Sequence, residues 1–418
     1  GKILLETDTA PENILCLTYT DAGAIAMRKR LMDFIGTAAY KVTIATFHSF
    51  CNDIIQDNLS LFEKPSLDPI SELEKIALLK ELIDQFDKTN PLKRFKGDVY
   101  YEMNNLMKLF STMKKEGWDV AYLTTQIDEY IKDIPFRDEF VYKKKYKQFE
   151  AGDLKQGLVD DAIEKMGKLK AAVAAFDQYQ SLMKKHGRYD FDDMINWVIG
   201  AFKENKNLLA QYQERFLYIL VDEFQDTSGT QNELVQLLTN YWEQPNLFVV
   251  GDDDQSIFRF QGANVENMLH FQTQYKDDIV NIVLEQNYRS TQPILDASTQ
   301  VINQNQERLI NKIGGLSKNL IASLPENQSI DIAPSILQYN DPQEEMMDIT
   351  EKIAQLINTG TEPKEIAVLY KEHKYGTEIA HFLQQKNIPI YSRRTANLFD
   401  QILIQQILKI LDYLACEW

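Results

Sequence analysis

The stretch from Phe216 to Asp226 carries the side chains best suited to chemistry. An apolar run of strand length ends in two adjacent carboxylates, Asp222 and Glu223, and continues as Phe224-Gln225-Asp226-Thr227. In open parallel sheets ligands bind beyond the carboxyl ends of the strands. A carboxylate there can hold a divalent cation such as Mg2+, which bridges nucleotide phosphates. A second carboxylate can orient or deprotonate a water molecule. A bare Asp-Glu pair fits a solvated turn equally well, but the full Asp-Glu-x-Gln-Asp-Thr run is much rarer by chance.

Two further constellations have the same layout. The apolar run Leu247 to Val250 ends in Gly251-Asp252-Asp253-Asp254-Gln255-Ser256, where Gln255 is placed to sense a terminal phosphate. Just beyond it Phe258 and Phe260 flank Arg259. Aromatics beside a cation suit stacking on single-stranded bases, worth about 1–3 kcal/mol per base, although two core rings give the same pattern. Leu284-Glu285-Gln286-Asn287-Tyr288-Arg289-Ser290 precedes a helix begun by Thr291-Gln292-Pro293. An arginine at such a junction can reach a γ-phosphate, and Tyr288 offers a ring to a base. The competing reading is a surface Arg289 paired with Glu285.

The elements that must position these groups fall into three zones. Strand Ile14 to Thr18, helix Ala22 to Phe34 and strand Val42 to Thr46 read as a βαβ unit with a parallel sheet. From about Phe62 to Arg188 apolar residues recur at helical steps, as in Leu73, Ile76, Leu79 and Ile83, and the zone reads as an all-helical insertion. From Tyr189 the α/β pattern resumes. Strands are expected at Phe216 to Val221, Leu247 to Val250, Ile279 to Leu284, Ile336 to Tyr339 and Ile366 to Tyr370. Helices are expected from Asp341-Pro342, from Tyr375 to Lys386 and from Ile402 to Cys416.

Bulk properties set the outer limits. The 418 residues allow two to four domains at about 100–200 residues each. No apolar run approaches the roughly 20 residues that span a bilayer. Cys16, Cys51 and Cys416 show neither metal spacing nor a disulfide framework, so a cytoplasmic setting is expected. The net charge is −17, yet residues Pro91 to Arg188 hold 19 Lys/Arg against 15 Asp/Glu. That block is compatible with a nucleic-acid groove and equally with solvated helix faces.

Taken together the motifs resemble those of superfamily 1 DNA helicases of the UvrD/Rep/PcrA type, in that family's order. Asp222-Glu223-Phe224-Gln225-Asp226 resembles its Walker B motif. The stretch from Val250 to Phe260 resembles motif III, and Leu284 to Ser290 motif IV. Leu17-Thr18-Tyr19-Thr20 resembles motif Ia, and Ala45-Thr46-Phe47-His48-Ser49 motif Ib. Tyr189-Asp190-Phe191-Asp192-Asp193-Met194 resembles the element that closes the family's helical insertion.

The resemblance implies an α/β fold of two RecA-like parallel-sheet domains with an all-helical insertion in the first. The expected divisions are 1–61 and 189–282 for the first domain, 62–188 for the insertion and 283–418 for the second. It implies an ATP- and Mg2+-dependent 3′→5′ motor acting on single-stranded DNA and ss/ds junctions. Asp222 and Glu223 are then the metal-side carboxylates, with Glu223 activating water. Gln255 and Arg289 contact the γ-phosphate and Tyr288 stacks on adenine. Thr18, Tyr19, Thr46, Phe47, His48, Phe191, Phe258, Arg259 and Phe260 face DNA.

Departures temper this. Phe260 stands where the family commonly has Trp, and Gln261 where it commonly has Arg. No Gly-x-x-x-x-Gly-Lys-Ser/Thr occurs, and Gly1-Lys2 is followed by Ile3. The phosphate-binding loop is therefore expected just upstream of Gly1, motifs V and VI are missing, and the chain is expected to be a fragment with little ATPase of its own. Three other readings stand beside the helicase: a non-catalytic DNA-binding module of the same fold, an AddA/RecB-like helicase–nuclease subunit, and a protein-remodelling ATPase. The last is disfavoured by Thr46-Phe47-His48 and Phe258-Arg259-Phe260.

Overall fold

Ile14-Leu15-Cys16-Leu17-Thr18 has no charged side chain and forms a strand buried at every residue. Such a strand needs cover on both faces, which a parallel sheet flanked by helices supplies. The computed structural model describes residues 1–62, 67–94, 97–145, 149–256, 265–314, 316–392 and 398–416. Among these the strands are β1 (Ile14–Thr18), β2 (Thr43–Thr46), β3 (Asp68–Pro69), β4 (Arg188–Tyr189), β5 (Tyr218–Val221), β6 (Leu247–Val249), β7 (Gln286–Asn287) and β8 (Ile321–Ala322). The main sheet has the order β2-β1-β5-β6 and is parallel throughout.

The alternation of a strand sends its side chains to two different cores. Leu15, Leu17, Ile219 and Val221 pack with Phe50, Ile54, Val198, Phe202 and Leu234 from the helices Phe47–Asp57, Phe191–Glu204 and Gly229–Thr239. Ile14, Cys16, Tyr218 and Leu220 face Ala24, Met27 and Leu31 of the helix Asp21–Ile35. Each buried aliphatic or aromatic side chain contributes about 1.5–3 kcal/mol. From the second face, Arg28 donates to the carbonyl oxygens of Ala39, Val42 and Ile44 at 3.1, 3.2 and 3.1 Å. One guanidinium thus fixes the approach to β2 and its register beside β1.

The helical insertion has its own core, in which Leu79, Leu82, Ile83, Leu106, Phe110 and Met113 are buried and Phe110 stacks on Tyr179 at 4.9 Å. Its entry and exit are joined by β3 and β4, which pair in parallel as Asp68↔Arg188 and Pro69↔Tyr189. Arg188 locks this clasp through Glu74 at 2.8 Å and Asp68 at 3.2 Å. The Ser71 backbone N–H and hydroxyl, joined by Arg188, hold the Glu74 carboxyl down to about 2. Among the described residues of this zone the helices are joined by this two-residue pairing and by the bridge Val141↔Leu154.

The chain forms two compact units, residues 1–329 and 330–418. Residues from Glu285 to Ser329, grouped by sequence with the C-terminal portion, pack within the first unit. In the second unit the helices Pro342–Asn358 and His373–Gln385 bury Met346, Ile353, Ile379 and Leu383 against each other. The Asp341 side chain caps the first of these by accepting from Gln343 N and Glu344 N at 2.7 and 2.9 Å.

Three expected strands are absent among the described residues. The segments 279–284, 336–339 and 366–370 make no ladder. Val280, Ile336 and Leu369 are exposed at 81%, 97% and 95%. An apolar run becomes a strand only when a neighbour takes its backbone N–H and C=O groups, and among the described residues these runs have no such neighbour. The nearest pairing to the first of them is β7 with β8, registered as Gln286↔Ile321 and Asn287↔Ala322.

Candidate nucleotide and nucleic-acid site

The strand order places a topological switch between β1 and β5: the chain passes from β1 outward to β2, then returns to build β5 on the other side. Crevices at such points are where ligands bind in open α/β sheets. Leu17 is in register with Val221, and Asp222 N donates to Leu17 O at 2.9 Å. The end of β1, with Tyr19, and the end of β5, with Asp222 and Glu223, are therefore side by side.

Glu223 has φ 51° and ψ 44°, the left-handed region that L-residues with a Cβ avoid. Among the described residues Asn387 is the other non-glycine with positive φ. Strain of this kind is kept where the surroundings fix it and function uses it. Here it turns the chain sharply at the strand end. Gln225, 1% exposed, then joins the two strand ends. Its Nε2 donates to Glu223 Oε2 at 2.8 Å and its Oε1 accepts from Asp252 N at 3.0 Å. Gln255 Nε2 in turn donates to Asp252 Oδ2 at 2.7 Å. The expected base and the expected phosphate sensor are thus linked as Glu223–Gln225–Asp252–Gln255. The turn leaves no room for a side chain at Gly251, where a Cβ would lie 2.8 Å from Gln225 Oε1 and 3.1 Å from Gln225 N.

The carboxylates at the end of β5 are short of positive charge. Burial, and then repulsion from Glu223, hold the Asp222 carboxyl above its ordinary range, against a hydrogen bond from the Glu223 N–H. Burial and then Glu223 do the same to Asp226, whose Oδ1 is buried without a hydrogen-bond partner among the described residues. An all-oxygen donor set with uncompensated charge is the chemistry a hard divalent cation satisfies. The residues present therefore fit Mg2+. The nearby Asp252, Asp253 and Asp254 differ, because Lys318 contacts all three.

The expected DNA-facing residues line the neighbouring strand ends. Tyr19 is 45% exposed; burial, then the fields of Asp226 and Asp192, push its phenol up. Phe191 is the first residue of its helix, 62% exposed, with its ring edge-on to His48 at 6.4 Å. His48 Nε2 lies 3.7 Å from Asp192 Oδ1. Thr18 is in register with Thr46, so Tyr19 and the His48–Phe191 pair stand past adjoining strand ends. Thr18 is buried. The Thr46 hydroxyl caps its helix, accepting from Ser49 N at 3.2 Å and donating to Ser49 Oγ at 2.9 Å. Phe47 is corrected: it is 2% exposed and packs among Leu15, Leu17 and Phe50, so it has no surface to offer a nucleic acid.

Tyr288 and Arg289 are exposed at the end of β7. Glu285 does not pair with Arg289; its Oε1 accepts from Ser317 Oγ and Asn319 N at 3.3 and 3.4 Å. Phe258, Arg259 and Phe260 lie outside the described residues.

Sequence reasoning passed over Gln225, Asp252 and Lys114. Lys114, on the insertion helix Met103–Glu116, is buried between Asp190 Oδ2 and Asp193 Oδ1, each at 2.8 Å. Those two carboxylates form the capping box that opens the Phe191 helix. The Asp190-x-x-Asp193 spacing is a usable signal for a helix start, but it does not point to the lysine, which lies 79 positions from Asp193.

Comparison with known proteins identifies the family. Residues 2–276 match the UvrD/REP helicase N-terminal domain and residues 282–417 the UvrD-like helicase C-terminal domain. The chain is 30% identical over 412 residues to the putative ATP-dependent DNA helicase YjcD of Bacillus subtilis, covering 96% of this chain and 45% of that protein. It is 29% identical over 416 residues to the ATP-dependent DNA helicase PcrA of Staphylococcus epidermidis, covering 99% and 49%. With PcrA of Staphylococcus aureus the identity is 27% over 416 residues, with the same coverage. The chain spans about half the length of these curated relatives. Matched along nearly its whole length by the two domain descriptions, the chain belongs to the UvrD/Rep helicase family.

Proposed function

We propose that the chain is motor core of an ATP-dependent DNA helicase that moves 3′→5′ on single-stranded DNA and opens ss/ds junctions. The observation that carries this reading is the adjacency of strand ends: Asp222 and Glu223 follow β5, Tyr19 follows β1, and the His48–Phe191 pair stands past the end of β2, which pairs with β1. Nucleotide chemistry and strand contact share one crevice, which is what coupling hydrolysis to translocation requires. The relatives named as ATP-dependent DNA helicases support it.

In this reading Asp222 is the residue that holds Mg2+, and Asp226 adds to the negative field around it. When bound, the ion supplies charge neutralisation at the nucleotide phosphates. Glu223 takes a proton from the attacking water, its carboxylate aimed by the Gln225 amide. Gln255 reads the γ-phosphate and passes its state to Glu223 through Asp252 and Gln225. Arg289 stabilises charge on the transferred phosphoryl group, and Tyr288 packs on the base. Tyr19 and Phe191 offer rings to the strand and His48 a contact to its backbone. We assign residues 62–188 as the insertion of the first RecA-like domain, residues 283–418 to the second, and the cytoplasm as the site of action. The 418 residues hold no Gly-x-x-x-x-Gly-Lys-Ser/Thr, so by themselves they are expected to turn over little ATP.

Unwinding of tailed duplexes by the complete polypeptide of this reading frame tests the proposal. ATP-dependent opening of a 3′-tailed duplex, with a 5′-tailed one left intact, is expected. Opening of the 5′-tailed duplex alone overturns the polarity. Opening of neither, with salt-dependent strand binding retained, favours the non-catalytic DNA-binding reading.

A further inference from the structure

Arg308, which is buried, and Lys318, which is half-buried, have no part in the chemistry above. Arg308 is 4% exposed, and its Nε and Nη2 reach Asp254 Oδ1 and Oδ2 at 2.7 and 2.8 Å. This is the forked geometry by which arginine binds a carboxylate through two parallel hydrogen bonds. Lys318 Nζ lies 2.8 Å from Asp254 and 3.1 Å from Asp253, and also pairs with Asp252. Leu309 N donates to Asp253 Oδ2 at 2.7 Å. The oxygens of the three aspartates come within 4.8 Å of one another. Without these partners they would repel each other and move Gln255, the next residue.

The segment that supplies both cations also carries Arg289. Strand β7 runs directly into Tyr288 and Arg289, and pairs with β8, which follows shortly after Lys318. Ile321 N donates to Glu285 O at 2.8 Å and Ser323 N to Asn287 O at 2.7 Å. Asn287 Oδ1 accepts from Arg289 N and Ser290 N at 2.9 and 2.7 Å, and Asn327 Nδ2 donates to Arg289 O at 3.0 Å. A two-residue pairing is too short to hold a position alone. The anchor of this assembly is the cluster at Asp252–Asp254.

We propose that Arg308 and Lys318 are positioning residues, which set the Arg289 loop against the Gln255 turn so that both reach one γ-phosphate. This rests on the reading of Gln255 and Arg289 given above. Neither cation touches the nucleotide in this scheme, so their loss acts on the chemical step. Misplacement by about 1 Å can cost about 100-fold in rate.

The test uses the complete polypeptide of this reading frame, with Glu223→Gln as the control and Arg308→Met, Arg308→Lys and Lys318→Met as the probes. For Arg308→Met and Lys318→Met, kcat of strand-stimulated ATP hydrolysis is expected to fall at least about 10-fold. KM for ATP and strand affinity should stay within about twofold, and Arg308→Lys should recover part of the loss. Hydrogen exchange is the second readout: the amides of Arg289 and Ser290 should exchange faster in Arg308→Met, with those of Leu15 and Leu17 unchanged. A normal kcat in folded Arg308→Met, with Glu223→Gln inactive, overturns the positioning role and leaves the helicase reading standing. Unchanged exchange at Arg289 and Ser290 overturns it as well. A fully active Glu223→Gln overturns the catalytic reading, and the positioning role falls with it.

Discussion

Lys114 and Asp193 are 79 residues apart in sequence and 2.8 Å apart in space, with the lysine side chain 2% exposed. Asp190 shares the same ammonium, and burial raises its carboxyl above the ordinary range against the pull of Lys114. The insertion is thereby pinned to the turn that presents Phe191. Removing one partner of a buried pair leaves the other charge uncompensated, at a cost of about 3–5 kcal/mol. Lys114→Met should lose stability of this order in urea unfolding, and adding Asp193→Asn should restore part of it. A loss below about 1 kcal/mol would show the pair to be solvated.

The same insertion helix meets the helix after the Asp-Glu-x-Gln-Asp-Thr run at Gly229. A Cβ there would lie 2.9 Å from Glu116 O and 3.2 Å from Glu116 Cα, both backbone atoms. Gly229 N also donates to Glu116 Oε2 at 3.2 Å, and Thr230 Oγ1 to Lys115 O at 2.8 Å. Gly229→Ala should destabilise by about 1–3 kcal/mol, since backbone must move to admit a methyl group. Thermal unfolding of the variant checks this; an unchanged midpoint would mean that the two helices separate freely.

The left-handed Glu223 predicts a trade of stability against function. The conformation costs an L-residue about 1–2 kcal/mol, and glycine adopts it freely at some cost in unfolded-chain entropy. Glu223→Gly should be at least as stable as the native chain, by up to about 1 kcal/mol, while hydrolysis is lost. A clearly less stable variant would mean that the Gln225 contact outweighs the strain.

A pH dependence follows from Asp222 and Asp226. Both folded carboxyls are raised above the ordinary 3.8, by burial first. A raised group lends stability that is full below its unfolded value and is lost as pH rises through its folded value. As pH rises from the ordinary carboxylate range through the raised folded values, these two groups therefore tilt stability downward. Asp226→Asn should flatten that slope and raise stability at neutral pH. Mg2+ should favour the native chain in the same range and not the Asp222→Asn variant. A steeper slope in Asp226→Asn would contradict the burial account.

What the sequence made legible follows from physical range. Strands β1 and β5 are continuous apolar runs covered on both faces, and their patterns named them. The paired acids at the end of β5 were legible because they are contiguous. Apolar runs such as Ile336 to Tyr339 have the same local pattern without a ladder partner, and a single run does not say whether a neighbour exists. The bridges were hidden for the complementary reason. Gln225 to Asp252, Arg308 to Asp254 and Lys114 to Asp193 join residues 27, 54 and 79 positions apart. Phe47 sat inside a recognisable motif, and packing alone decided that its ring turns inward.

In the proposed function Glu223 is the base of an ATP-hydrolysing motor. Strand-stimulated ATPase of the complete polypeptide, compared with its Glu223→Gln variant at matched folded concentration, tests it most directly. Hydrolysis lower by about 100-fold or more is expected in the variant, the scale of a lost general base, with single-strand binding retained. Hydrolysis by the variant at the native rate would contradict it.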